Sequence, residues 1–386
     1  MEAYFDNSAT TRCSKGVCDV MMKVFLEDYG NPSSLHLKGL EAEQRIRTAR
    51  EQIARTLRVE PKELIFTSGG TESDNLALMG TAMANKRRGR HLITTKIEHA
   101  AVLRTMQHLE EEGFEVTYLS VDKEGRIDMG ELRDAIRPDT ILVSIMYVNN
   151  EIGTIEPIEE ASRIIKEANP NTLFHVDAIQ AYGKLRIFPQ RLGIDLMSVS
   201  GHKIHGPKGV GFLYVKEKTK ISPILFGGGH QHGMRSGTEN VPGIAGLGQA
   251  ALESYTDFEE KAAHLASLRD ALTEGLAECE WAHVNGPTED RSYAAPHIVS
   301  VSFDRVRSEV LLHALEEKGI FVSAGSACSS NKPAISETLK NIGVKKEYLD
   351  STIRFSFSVE NTKEEVAYAL SVLKDLVPML SRFTRH

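Results

Sequence analysis

An open, mostly parallel α/β sheet followed by a smaller α/β unit is the architecture this 386-residue sequence predicts, and three observations carry the reading. Between about residues 63 and 215, short β-rich runs alternate with stretches of helical periodicity. Two marked polar residues, Asp177 in FHVDAIQAYGK and Lys203 in SGHKIHG, each come after an apolar run that reads as a buried strand. Further along, HIVSVSF, IFVSAGS and STIRFSFS form a second set of strand-like runs, with helices expected around 307–318 and 362–382.

The stretch 34–58, SLHLKGLEAEQRIRTAREQIARTLR, predicts a long charged helix. The strands of the first unit are ELIFTS, HLITTK, EVTYLSV, TILVSIMYV, TLFHVDA, DLMSVS and GVGFLYV. After GGGHQHGMRSGTENVPG, one long helix is expected over roughly 242–278, leading out of the large unit. The division is residues 15–255 as a large cofactor-binding domain and 1–14 with 256–386 as a small domain. GSACSSNKPA, at about 325–335, is rich in small and polar residues and reads as a mobile loop.

Composition narrows the function classes. A hydrophobic content of 41% with 26% charged residues is that of a globular chain, which excludes disorder. A net charge of −7 argues against a nucleic-acid surface, and KRRGR at 86–90 reads as a solvated helix end. No apolar stretch approaches the roughly 18 residues of a membrane span, and MEAYFDNSATT lacks the features of a leader, so a cytoplasmic protein is expected. The four cysteines, Cys13, Cys18, Cys279 and Cys328, fit neither zinc spacing nor a disulfide framework.

Lys203 and Asp177 together suit pyridoxal phosphate. A lysine amine holds the cofactor aldehyde as a Schiff base, and a carboxylate opposite the ring nitrogen keeps that nitrogen protonated. Both are expected at the carboxyl edge of the sheet, where open α/β sheets bind ligands. Separately, each also reads as an ordinary surface lysine or helix-capping aspartate. ELIFTSGGTESDN gives a strand, a Gly-Gly turn and a helix beginning at Thr71, with Glu72 and Asp74 in its first turn; such a helix start suits a phosphate. Ser200 and His202 flank the same place. His99 in KIEHAAV is a candidate to stack on the ring and move protons. Gln180 is a candidate donor to the ring hydroxyl, and Asn150 in VNNEIG and Arg354 in STIRFS are candidates for an amino-acid carboxylate. Cys328, in AGSACSSN, is flanked by residues too small to bury it, as a nucleophile requires; the other three cysteines read as small hydrophobes.

In order along nearly the whole chain, DNSATT, GNPSSLH, FTSGGTESDN, EHAAV, VNNEIG, HVDAIQ, SGHKIHGPKG, GMRSGT, GSAC and IRFS resemble the cysteine desulfurases of the NifS/IscS type, in the class V aminotransferase family. The resemblance implies a pyridoxal phosphate fold type I homodimer that converts L-cysteine to L-alanine. Lys203 then matches the Schiff-base lysine and Cys328 the residue that becomes a persulfide. Gly70, Thr71, Asn150, Gln180, Ser200, Gly201 and His202 match cofactor contacts, Asp177 the pyridinium partner and His99 the stacked histidine. Thr238 matches a threonine that reaches the phosphate of the neighbouring subunit. The sulfur is expected to pass to an acceptor protein, either an iron–sulfur scaffold or a tRNA-thiolation enzyme. No resident metal is expected, beyond a transient iron–sulfur cluster on Cys328.

Two features depart from the family pattern: His232 in GGGHQHGMR, and PAISETL after the cysteine loop. The chain also stops at LSRFTRH, without the C-terminal extension that scaffold-docking members use. The rival readings are a selenocysteine lyase or transaminase on the same scaffold, and a non-catalytic thiol or metal-binding partner using His230, His232 and Cys328.

Overall fold

The computed structural model describes residues 1–324 and 336–382. The chain opens with β1 (Ala3–Tyr4), α1 (Lys15–Leu26) and α2 (Leu37–Leu57). Then come β2 (Leu64–Thr67), α3 (Gly70–Asn85), β3 (His91–Thr95), α4 (Ala100–Glu111), β4 (Glu115–Leu119), α5 (Met129–Ala135) and β5 (Thr140–Met146). The first unit closes with α6 (Ile158–Ala168), β6 (Leu173–Asp177), β7 (Leu196–Ser200) and β8 (Gly211–Val215). Beyond α7 (Val241–Tyr255) and α8 (Phe258–Ala277) lie β9 (Ala282–Asn285), β10 (Ile298–Phe303), α9 (Ser308–Glu316), β11 (Ile320–Phe321), β12 (Ser323–Ala324), α10 (Glu337–Asn341), β13 (Thr352–Ser356) and α11 (Lys363–Leu380).

The main sheet has seven strands in the order β2-β8-β7-β6-β5-β3-β4. Only β8 runs against its neighbours, so the expected mostly parallel sheet is present. Strand alternation sorts its side chains into two cores. Val143, Ile145, Phe174, Val176, Met197 and Val199 point to the face covered by α1, α2, α5, α6 and α7. Leu142 and Leu196 point to the opposite face, against Leu76, Ala77 and Leu78 of α3 and Val102 and Met106 of α4. A four-stranded antiparallel sheet, β12-β13-β10-β9, has a core of its own with α8, α9 and α11. β1 pairs with β11, which brings the start of the chain to this second sheet.

Several elements differ from the sequence reading. The single helix expected over 242–278 is two helices, broken where Asp257 adopts a left-handed φ of 50° after the extended Thr256. IFVSAGS is not one strand: Ile320–Phe321 pairs with β1 and Ser323–Ala324 with β13. α2 begins at Leu37, with the His36 side chain accepting from the Gly39 amide as its cap. Helix α1 and strand β9 carried no sequence expectation. The GSACSSNKPA segment, and Cys328 with it, lies outside the described residues.

Candidate active site

The carboxyl ends of the parallel strands β3, β5, β6 and β7, joined by that of β2, share one edge of the main sheet, and the loops leaving them build the site. After β2, Gly69 adopts φ +148°, a conformation open to glycine, and α3 starts at Gly70 rather than at Thr71. No side chain caps this helix, so its first amides are free to hold an anion. A Cβ on Gly70 would lie 2.2 Å from Ile179 Cδ1, and 3.5 Å from Ser200 Cβ; the turn is therefore pressed against the β6 and β7 loops. Glu72 does not oppose an anion here, because Arg235 pairs with it at 2.8 Å and the Ser68 amide donates to it. Gly70→Ala is expected to destabilise the fold by about 1–3 kcal/mol through overpacking and to weaken phosphate-dependent cofactor retention. Thermal denaturation with and without cofactor checks both.

His99 is the N-cap of α4, its Nδ1 accepting from the Ala101 amide at 3.1 Å. The neutral ring therefore carries its proton on Nε2. Burial lowers the pKa, and the Lys203 charge lowers it further. After β5, the Asn150 carbonyl accepts from Arg354 Nη1 at 2.8 Å. Arg354 is 6% exposed and its Nη2 pairs with Asp6 at 2.9 Å, so it is a buried strand arginine held by an ion pair. Among the described residues its Nε is buried without a hydrogen-bond partner.

Asp177 ends β6 and is buried; Oδ1 accepts from the Ile179 amide at 2.9 Å. Burial raises its pKa to about 6, against the opposing effects of that amide and of the Lys203 charge. Such a carboxylate is well matched to a ring-nitrogen cation. Gln180, also buried, donates through Nε2 to the Ser8 carbonyl at 3.0 Å. Lys203 closes the short turn Gly201–Lys203 after β7, and its Nζ donates to the carbonyls of Ser8 and Ala9, the latter at 2.8 Å. A Cβ on Gly201 would lie 3.1 Å from Leu247 Cδ1 and from the Pro207 carbonyl and 3.2 Å from the Val210 carbonyl, so the turn is tightly packed. His202 approaches Thr10 Oγ1 at 3.2 Å, and burial, with the Lys203, Lys208 and Lys184 charges adding to it, lowers its pKa to about 4.

The structure thus gathers the first turn of α3, His99, Asn150, Asp177, Gln180, Ser200 and Lys203 along one edge. Thr238 is exposed in the 230–240 stretch. Sequence reasoning missed the DNSATT backbone, which lies over the lysine turn through Thr11 and His202 and reaches β13 through Asn7, Ser8 and Ser356. It also missed Asp6, Glu98 and Glu151. Glu151 accepts from Ser336 Oγ at 2.5 Å, and Ser323 stands opposite Arg354 in the β12–β13 register. Both flanks of segment 325–335 are therefore fixed beside Asn150 and Arg354.

A lysine at a sheet edge, a buried aspartate on which its charge acts and an uncapped helix start are groups that pyridoxal phosphate asks for, and comparison with known proteins places the chain among enzymes that use it. The family model for class V aminotransferases matches residues 3–368. The cysteine desulfurase IscS of Methanosarcina thermophila is 47% identical over 98% of this chain and 92% of its own length. A putative cysteine desulfurase IscS 1 of Bacillus subtilis is 45% identical over 98% and 99%. Among solved structures, a NifS-like protein superposes with a TM-score of 0.93 at 41% identity, covering 98% of this chain and all of that one. SspA in complex with cysteine superposes with a TM-score of 0.80 at 35% identity, covering 93% of this chain and all of that one. The chain belongs to the class V aminotransferase family. Within it, it is a pyridoxal phosphate-dependent cysteine desulfurase of the NifS/IscS type.

Proposed function

We propose that the chain takes the sulfur of L-cysteine onto Cys328 as a persulfide, releases L-alanine, and hands the sulfur to an acceptor protein. One observation carries this reading: Lys203, Asp177 and the uncapped start of α3 share a sheet edge with the residues that hold both flanks of segment 325–335. The fit to the cofactor rests on a buried Asp177 carboxylate of raised pKa and on a glycine turn that a Cβ would fill.

Pyridoxal phosphate, when bound, supplies an aldehyde for a lysine amine and a ring that accepts the electron pair left at the substrate Cα. Lys203 anchors the cofactor and, once freed, moves the Cα proton. Asp177 holds the ring nitrogen in its protonated form. The Gly70 and Thr71 amides with Ser200, Gly201 and His202 would hold the phosphate, and Gln180 would donate to the ring hydroxyl. His99 covers the ring face and presents Nε2–H. Asn150 and Arg354 hold the substrate carboxylate. The Cys328 thiolate attacks the substrate sulfur: the Cβ–sulfur bond breaks, a sulfur–sulfur bond forms, and the departing electron pair stays on Cβ, which takes up a proton; Lys203 returns the proton to Cα, which leaves alanine.

A homodimer with shared sites belongs to the same reading. Met22, Phe25, Leu26 and Tyr29 at the end of α1, and Leu35, Leu37 and Leu40 at the start of α2, are all exposed. We take a second copy to cover them, and the resemblance implies that Thr238 then reaches its neighbour's phosphate. The division at residues 15–255 is supported by the separate cores of the two sheets. A reactive thiol suits a reducing compartment, hence the cytoplasm; among the described residues no helix is long and apolar enough to cross a membrane. The acceptor belongs to iron–sulfur cluster assembly or to tRNA thiolation. Equimolar alanine and sulfide from cysteine with a reductant test the reaction; a keto acid product would favour transamination instead.

Asp177→Ala is expected to bind the cofactor at least about tenfold more weakly and to lose most turnover. It should also flatten one pH effect. The folded-state pKa is raised, so in the cofactor-free protein this group's stabilising contribution is full at acid pH and is lost as pH rises through about 6. Denaturation of the cofactor-free wild type and variant across that range checks the sign; matching profiles and full cofactor binding would remove Asp177 from this role.

A further inference from the structure

Behind Asp177 the fold buries two more acids that the reaction does not use. Asp74, just past the first turn of α3, is fully buried, and among the described residues neither carboxyl oxygen has a well-formed hydrogen bond. His175 Nε2 lies 3.7 Å away, too far for a hydrogen bond. His175 is two residues before Asp177 on β6 and so shares its face, and it is itself fully enclosed between Ser144 Oγ at 2.8 Å and Ser198 Oγ at 2.9 Å. Ser198 is directly opposite Asp177 in the β6–β7 register. Glu98, ahead of α4, accepts through Oε1 from the Met146 amide at 2.9 Å and Thr95 Oγ1 at 3.0 Å, while its Oε2 is buried with no partner among the described residues. Among the described residues no cation acts on Asp74: β7 offers it the hydroxyl of Ser198, and β6 offers His175 and Asp177.

Asp74, Glu98 and Asp177 are all buried, and the Asp177 charge acts on both of the others. Like charges in a poorly solvated interior repel, and burial penalises each one. Lys203 acts on Asp177, so Asp177 is the acid best placed to ionise. Burial, then the Asp177 charge, pushes the Asp74 carboxyl well above its usual range, against a weaker opposing pull from the Ser198 hydroxyl. Burial likewise pushes Glu98 up, with the Asp177 charge adding to it and the Met146 amide opposing. Burial holds the His175 ring down at about 3, so it stays neutral.

We propose that Asp74 is a positioning residue that works as an undissociated acid: with neutral His175 and undissociated Glu98 it forms an uncharged floor beneath Asp177, which leaves Asp177 as the single negative charge facing the ring nitrogen. The proposal rests on the role given to Asp177 above. It explains why an acid is buried without a cation among the described residues one turn from the start of α3: undissociated, it adds no charge to oppose a phosphate held there.

Infrared spectroscopy of the protein carrying 13C-labelled aspartate, with and without pyridoxal phosphate, tests it. Wild type minus Asp74→Asn at neutral pH should show an undissociated-acid carbonyl band. A carboxylate band in its place would overturn the proposal. Because a neutral amide replaces a neutral acid, Asp74→Asn should keep cofactor affinity within about threefold at neutral pH. On passing to alkaline buffer, wild type should lose affinity as Asp74 ionises, and the variant should not. A loss of more than about tenfold at neutral pH, or identical alkaline profiles, would contradict it. If Asp74→Asn does not fold, Glu98→Gln with 13C-labelled glutamate makes the same measurement on the second acid. These bands are read without cofactor as well, so they fail or succeed independently of Asp177, whose role Asp177→Ala tests separately.

Discussion

Lys203→Ala is expected to stop multiple turnover, with alanine formation from cysteine falling by at least about 10^4-fold. One substitution removes both the covalent anchor and the group that moves the Cα proton, and proton transfer alone is worth about 10^2–10^4-fold. The protein should still fold. Lys203 Nζ donates to the Ser8 and Ala9 carbonyls, and losing those bonds costs about 1 kcal/mol each. The cofactor should remain bound non-covalently through the α3 amides and Asp177, and should wash out faster than from wild type. Alanine release over many turnovers by this variant would remove Lys203 from the mechanism.

Cys328→Ser is expected to lose alanine production nearly as completely, but by a different route. A serine hydroxyl is far less nucleophilic than a thiolate at neutral pH. Lys203, Asp177 and His99 are untouched, so exchange of the substrate Cα proton with solvent should continue while sulfur transfer stops. Proton exchange measured by NMR in deuterated buffer separates the two variants: it persists in Cys328→Ser and is absent in Lys203→Ala. Loss of exchange in both would place Cys328 among the residues that assemble the cofactor site.

Much of this was legible in the sequence because the chemistry lies at strand ends, and buried parallel strands have a plain signature: short, β-branched and bounded by turn residues. TLFHVD and DLMSVS locate Asp177 and Lys203 directly. Helix starts were less sharply drawn. Gly70 opens α3 one residue before the expected Thr71, since glycine carries no side-chain signal of a cap. The break at Thr256–Asp257 was hidden because the flanking residues keep helical periodicity, while a left-handed aspartate has no distinctive sequence. The enclosing residues were hardest. Asp6, Ser8 and Glu151 act on Lys203, Gln180, Arg354 and Ser336 through contacts far apart in the chain, which form where the pairing of β1 with β11, the Asp6–Ser356 bridge and the pairing of β12 with β13 draw the segments together. His175 was within reach: strand parity puts it on the same face as Asp177, and a polar residue there asks for a partner.

The central claim, that sulfur leaves cysteine onto Cys328, is tested most directly by intact-protein mass spectrometry after adding cysteine to the cofactor-loaded protein without reductant, with peptide mapping of the product. The account predicts one added sulfur atom on wild type, mapped to Cys328, and none on Cys328→Ser; an added sulfur mapped to Cys13, Cys18 or Cys279, or one that persists in Cys328→Ser, would contradict it.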